Sequence, residues 1–100
     1  MAFDIEAAAR EKRKHMSRPW FLYILECAGG RLYTGIALDP EARYKAHAEG
    51  RGAKFTRSYP PLRLAMVETF ASRSEALKAE YAIKRLSAAE KRKLVGKAER

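Results

Sequence analysis

The chain has 100 residues, 47% of them hydrophobic, and sets 21 Lys and Arg against 12 Asp and Glu for a net charge of +9. That length holds one domain with a modest core, in a composition too apolar for a disordered chain. There is no apolar run near the roughly 18 residues of a membrane span, no secretory signal around Asp4 and Glu6, and, with Cys27 alone, no internal disulfide or Cys-based zinc cluster. The expected location is the cytoplasm, and the charge excess points to a polyanionic partner, nucleic acid being the commonest.

Residues 1–18 are predicted to form a helical extension, with three consecutive alanines and many long side chains. It halts before Pro19, because a residue preceding proline avoids helical geometry. Residues 20–25 (WFLYIL) are rich in strand formers and too short for an independent helix. Ala28-Gly29-Gly30 then supplies a tight turn, and residues 32–37 return as a second strand. Alternation puts Trp20, Leu22 and Ile24 on one face, and Phe21, Tyr23 and Leu25 on the other. On the second arm Tyr33 and Gly35 share a face, and a glycine so placed marks a close approach by backbone or ligand.

Asp39 and Pro40 open a helix, one as capping carboxylate and the other preset for the first helical position. It is expected to run to about Glu49 and stop at Gly50, with Ala42 and Ala46 toward the sheet. Arg43 and His47, four apart, stack on a neighbouring face. Residues 51–63 read as a basic loop closed by Pro60-Pro61. It holds Arg51, Lys54, Arg57 and Arg63 with no acid, and Phe55 and Tyr59 lie between them. That mixture can grip phosphates while stacking on bases.

Residues 62–70 alternate well enough for a third strand, with Leu62, Leu64 and Met66 facing one way. Ser72 and Glu75 form a capping box that starts a helix to about Leu86. Its inward stripe is Ala76, Ala79, Ile83 and Leu86, and Glu80 falls within that arc, where an uncompensated carboxylate is costly. Ser87 and Glu90 form a second box opening a last helix toward Val95 and Gly96. The predicted fold class is α+β: a small three-stranded antiparallel sheet flanked by helices over residues 19–96. A helical extension precedes it, and residues 97–100 follow as a short tail.

At this point the residues resemble a known family. Phe21-Leu22-Tyr23 and Tyr33-Thr34-Gly35 are similar to the two half-motifs of the GIY-YIG nuclease superfamily. Arg43 and His47 follow Tyr33 at the spacing of its helix motif, and the stretch around Glu80-Tyr81 and Lys84-Arg85-Leu86-Ser87 resembles its metal-carboxylate helix. With Gly52-Ala53-Lys54-Phe55-Thr56-Arg57, residues 19–95 resemble the small standalone bacterial branch of that superfamily.

The resemblance implies a metal-dependent endonuclease acting on DNA. In that scheme Tyr33 sits near the nucleophilic water and Tyr23 supports it. Arg43 stabilises charge on the phosphate, and His47 assists proton transfer or contacts the phosphate. Glu80 holds one divalent cation, Mg²⁺ or Mn²⁺. Arg51, Lys54, Arg57 and Lys84 are the expected nucleic-acid contacts. Two departures stand out: Phe21 and Leu22 replace the name-giving Gly and Ile, and the chain contains no asparagine, which many members carry near the site.

The chemistry agrees with these residue types. Phosphodiester hydrolysis needs an activated water, a counter-charge for the transition state and help for the leaving oxygen. Arginine's planar fork suits phosphate, and Mg²⁺ accepts a single carboxylate with several waters. A tyrosine of ordinary pKa near 10 is a poor base at neutral pH, so it needs cationic neighbours. Two readings stay open: a structure-selective DNA endonuclease with its specificity in substrate shape, or a nucleic-acid binding module that has kept the scaffold with weak or no catalysis.

Overall fold

A computed structural model describes residues 18–98. The predicted helix over residues 1–18 and the end of the predicted tail therefore lie outside the described residues. Strand β1 (Trp20–Cys27) runs through a one-turn 3₁₀ segment at Ala28–Gly30 into β2 (Arg31–Ala37). Helix α1 (Pro40–Ala48) and the short α2 (Lys54–Ser58) follow, then β3 (Pro61–Phe70), α3 (Arg73–Lys84) and α4 (Ala88–Ala98). The sheet is antiparallel throughout in the order β2-β1-β3.

The turn and caps follow from sequence. Gly29 and Gly30 take φ of 77° and 73°, a region closed to most side chains. Asp39 accepts from the Ala42 amide at 3.1 Å, and Ser72 accepts from the Glu75 amide at 3.2 Å. The second capping box closes in both directions: the Ser87 amide donates to Glu90 at 2.8 Å and the Glu90 amide to Ser87 at 3.1 Å.

Each strand face buries a different set. On one, Leu22, Ile24, Ala65 and Met66 meet Ile83 of α3 and Val95 of α4, with Ala79, Leu86 and Leu94 against them. On the other, Tyr23, Leu25, Cys27 and Ala37 meet Tyr33, Tyr44, Tyr59 and Leu64 beneath α1 and α2. The Tyr44 hydroxyl donates to the Leu62 carbonyl at 3.1 Å and ties α1 to the edge strand.

Three expectations are corrected. The basic loop contains α2, one helical turn that buries Thr56. Strand β3 shifts register against β1 at Ile24/Leu25 and again at Glu26/Cys27, so Leu62 is thrown outward while Met66 is buried. Ala42 is exposed, leaving Ala46 and His47 as the buried residues of α1.

Candidate active site

Tyr23 lies at the centre of β1 and is almost fully buried. Its cross-strand partner is Gly35, and a Cβ on Gly35 would sit 2.7 Å from Tyr23 Cζ. The glycine is what lets the phenol ring lie flat across β2 toward α1. There the Tyr23 hydroxyl meets His47 Nε2 at 3.0 Å.

His47 is itself 1% exposed. Its Nδ1 lies 2.7 Å from Thr56 Oγ1, and the Thr56 hydroxyl donates to the Ala53 carbonyl at 2.9 Å. With that hydrogen used, Thr56 Oγ1 accepts from Nδ1–H, and Nε2 is left to accept the Tyr23 hydroxyl. The Ala53 amide also approaches Nδ1, at 3.3 Å, which is the contact of the opposite tautomer; the shorter Thr56 bond favours the first. The result is a directed chain from Tyr23 through His47 and Thr56 to a backbone carbonyl. Gly52 completes the fit, since any Cβ there would collide with the His47 ring.

Electrostatics keep this chain neutral. Burial pushes the Tyr23 pKa up, against the hydrogen bond and charge of Arg43, and the charges of Tyr33 and Glu80 add to the rise. Burial holds the His47 pKa down, and the Arg43 guanidinium lowers it further. Tyr33 on β2 is half-buried, with its ring 5.0 Å from that of His47 and 6.3 Å from that of Tyr23. Four expected site residues from three other elements thereby reach Tyr23 by contact or charge: Tyr33, Arg43, His47 and Glu80.

Glu80 is 18% exposed at its side chain and pairs with Lys84 at 3.3 Å. The described residues contain no cluster of three or more His, Cys, Asp or Glu. A cage of protein ligands is therefore not available. A single carboxylate fits Mg²⁺, which retains waters and shares its coordination with substrate oxygens.

The expected nucleic-acid contacts separate into two kinds. Lys54 and Arg57 are exposed on α2, the helix that supplies Thr56. Arg51 is held by Glu49 in an exposed pair that exchanges at little cost, and Lys84 by the largely covered Glu80. His47 has both ring nitrogens engaged and faces Tyr23, which leaves it no route to a phosphate. Thr56, Gly52 and Gly35 were not anticipated as site residues. The sequence marks Gly35 as a point of close approach, and the body that approaches it is Tyr23.

Comparison with known proteins decides the family. Residues 19–93 match the family model of the GIY-YIG catalytic domain. The chain belongs to the GIY-YIG family. The members of this family are nucleases. A UPF0213 protein of Cupriavidus pinatubonensis is 54% identical over 76% of this chain and 84% of its own length. The UPF0213 protein YhbQ of Escherichia coli is 47% identical over 77% of each chain. The solution NMR structure of a UPF0213 protein from Bacillus halodurans aligns with a TM-score of 0.51 at 45% identity, covering 78% of this chain and 83% of the other. These relatives are small GIY-YIG proteins like this one, and the three-stranded sheet with its helices is their shared fold. No helix among the described residues is long and apolar enough to cross a membrane.

Proposed function

We propose that the protein is a divalent-metal-dependent, structure-selective DNA endonuclease that hydrolyses phosphodiester bonds. The observation that carries this reading is the convergence on the Tyr23 hydroxyl, held at 3.0 Å by a neutral His47 and influenced by Arg43, Tyr33 and Glu80. Of the two tyrosines, Tyr33 is the one solvent reaches, so it meets the attacking water. Tyr23 is buried and donates inward to His47, which fixes its lone pairs toward Tyr33 and the substrate. With its pKa raised, Tyr23 stays protonated at neutral pH and acts as an orienting hydroxyl, and neutral His47 behind it assists proton transfer by fixing the direction in which that hydroxyl donates.

Arg43 supplies the charge that stabilises the developing negative phosphate. A Mg²⁺ or Mn²⁺ ion would be held by Glu80 and would supply Lewis-acid stabilisation of the phosphate and leaving oxygens. Selectivity is assigned to substrate shape, such as a flap, nick or branch, and Lys54 and Arg57 provide salt-sensitive grip.

The test is incubation of the protein with labelled flap, nicked, branched and linear DNAs in Mg²⁺ or Mn²⁺. Cleavage of a branched substrate is expected, and Glu80→Gln and Tyr33→Phe should each lower the rate about 100-fold or more, the scale of losing one electrostatic or proton-handling group. Wild type leaving every substrate uncut, or Glu80→Gln cutting like wild type, defeats this reading. Salt-sensitive binding without cleavage would favour the second reading, a binding module, which the absence of asparagine supports.

A further inference from the structure

A second feature lies at the hairpin turn, with Phe55 of α2 in its lining. It is a cleft of about 280 Å³ whose lining includes Gly30, Arg31, Phe55, Ala88, Lys91 and Arg92, with no carboxylate among its lining residues. We propose that it binds the unpaired strand flanking the cleaved phosphate. One nucleobase lies against Phe55, and backbone phosphates sit on Lys91 and Arg92. The proposal deepens the nuclease reading and rests on it for the identity of the strand.

An aromatic series leads from the tyrosines to this cleft. Ring centroids step from His47 to Tyr33 in 5.0 Å, from Tyr33 to Phe55 in 5.7 Å and from Phe55 to Tyr59 in 5.2 Å. Phe55 is 36% exposed, so part of its ring is open to a stacking partner. Base–aromatic stacking is tolerant of sequence, because every base has a π-face.

Two of the cations, Arg31 and Arg92, are set by contacts other than ion pairs. The Arg31 guanidinium lies 4.2 Å from the centroid of the Tyr59 ring. Arg92 donates to the Gly30 carbonyl at 2.6 Å, so its charge is fixed at the cleft with no acid to cancel it there. Lys91 lies one turn into α4, behind the capping box that fixes the start of that helix. Ligand pockets run roughly 300–1,000 Å³, so this cleft is at the small end. It suits single nucleotides of a strand and is too small for a duplex.

The experiment measures binding of a fluorescein-labelled ten-residue oligothymidylate by anisotropy in EDTA, so that cleavage plays no part. A matching abasic strand and free thymidine 5′-monophosphate serve as controls. Phe55→Leu is expected to weaken oligothymidylate binding about tenfold and to leave abasic-strand binding unchanged. Lys91→Gln should weaken both strands equally and flatten the salt dependence by about 0.7 in log–log slope, the value for one lost single-strand phosphate contact. Thermal melting checks that each variant is folded.

If both variants bind like wild type while the DNAs of the cleavage assay are still cut, the cleft proposal is overturned and the nuclease reading stands. If cleavage is absent but Phe55- and Lys91-dependent binding remains, the nuclease reading fails and the cleft stands. A Phe55→Leu effect of equal size on the abasic strand overturns the stacking assignment. Thymidine 5′-monophosphate competing as well as the oligonucleotide overturns the strand assignment.

Discussion

Two buried threonines show how differently the two sides of this sheet are built. Thr34 on β2 is 3% exposed, faces the apolar side, and its hydroxyl finds no hydrogen-bond partner among the described residues. Thr56 on α2 is 1% exposed, bonds His47 at 2.7 Å and donates to Ala53 at 2.9 Å. One side of the sheet is held by filled volume, and a polar atom there is a defect. The other adds to its packing a mutual satisfaction of polar atoms, and the same residue type is a structural link there. Polar networks of this second kind are costly when broken in part, so changes on the two sides should differ in kind as well as in size.

The largest stability effect is expected on the apolar side. Ile24 is fully buried among Leu22, Met66, Ile83 and Val95, and Ile24→Ala should cost ~2–5 kcal/mol, a transfer loss plus an unfilled cavity. Urea denaturation measures it. Molecules that stay folded should keep their pH profile of cleavage, because no polar group at the site has changed. A profile shifted as far as in a Thr56 variant would show that the two sides are not independent.

The glycines of the relay come next. Gly35→Ala puts a methyl into the Tyr23 ring, and Gly52→Ala puts one into the His47 ring. Overpacking typically costs ~1–3 kcal/mol, and here the displaced groups are the ones proposed to orient the reaction. The expected signature is a fall in kcat well beyond the fall in stability, read by comparing single-turnover cleavage with urea midpoints. A kcat loss no greater than that of Ile24→Ala would remove the reason to tie these glycines to function.

How much of this was legible in the sequence divides along the same line. The turn at Ala28–Gly30, the caps at Asp39, Ser72 and Ser87, and the stripe of Ala76, Ala79, Ile83 and Leu86 rest on local rules acting within a few residues. They could be read directly. The inward donation of Tyr23 could not, because it depends on β2 and α1 bringing His47, 24 positions further along the chain, back to β1. Helix α2 hid for the same reason: Lys54–Ser58 is too short to show periodicity, and Thr56 earns its burial only from the ring it bonds. The double register shift of β3 was likewise invisible, since the pattern of residues 62–70 can be fitted to either face until β1 is placed beside it. The pairing of Glu80 with Lys84 was legible as an i,i+4 spacing, whereas the reach of Glu80 to Tyr23 was not.

Thr56→Val is the sharpest probe of the relay. It is nearly isosteric, leaves the His47 Nδ1–H without its acceptor, and should cost ~1–3 kcal/mol for the orphaned donor. The Ala53 amide, 3.3 Å away, can then donate to Nδ1 in the opposite tautomer, and Nε2 becomes a donor to Tyr23. Nitrogen chemical shifts of the imidazole should report the exchange, together with a loss of cleavage. An unchanged tautomer would contradict the directed chain.

Acidification tests the same ring more gently. Because burial lowers the folded pKa of His47, the folded state binds fewer protons than the unfolded state around the ordinary histidine value near 6.5. The stability held by neutral His47 is thus complete above that value and is lost as pH falls through the depressed folded pKa. The thermal midpoint of wild type should drop on going from pH 7.5 toward pH 5, and His47→Gln, less stable throughout, should show a flatter dependence. Parallel curves for the two proteins would mean that His47 does not titrate in this way.

The smallest expected effect is the most informative about the comparison, because its sign is opposite. Thr34→Val replaces a buried hydroxyl that has no partner with a methyl of similar volume, beside Ile24 on the neighbouring strand. The unfolded state loses a hydrated hydroxyl and the folded state loses only an unpaired one, so the change should be neutral or stabilising by up to ~1 kcal/mol. Cleavage should be unaffected if the hydroxyl faces only the apolar core. Destabilisation of the size expected for Thr56→Val would show that Thr34 has a partner, such as an ordered water bridging to backbone. The apolar side would then carry a polar network of its own, and the contrast between the two sides of the sheet would no longer hold.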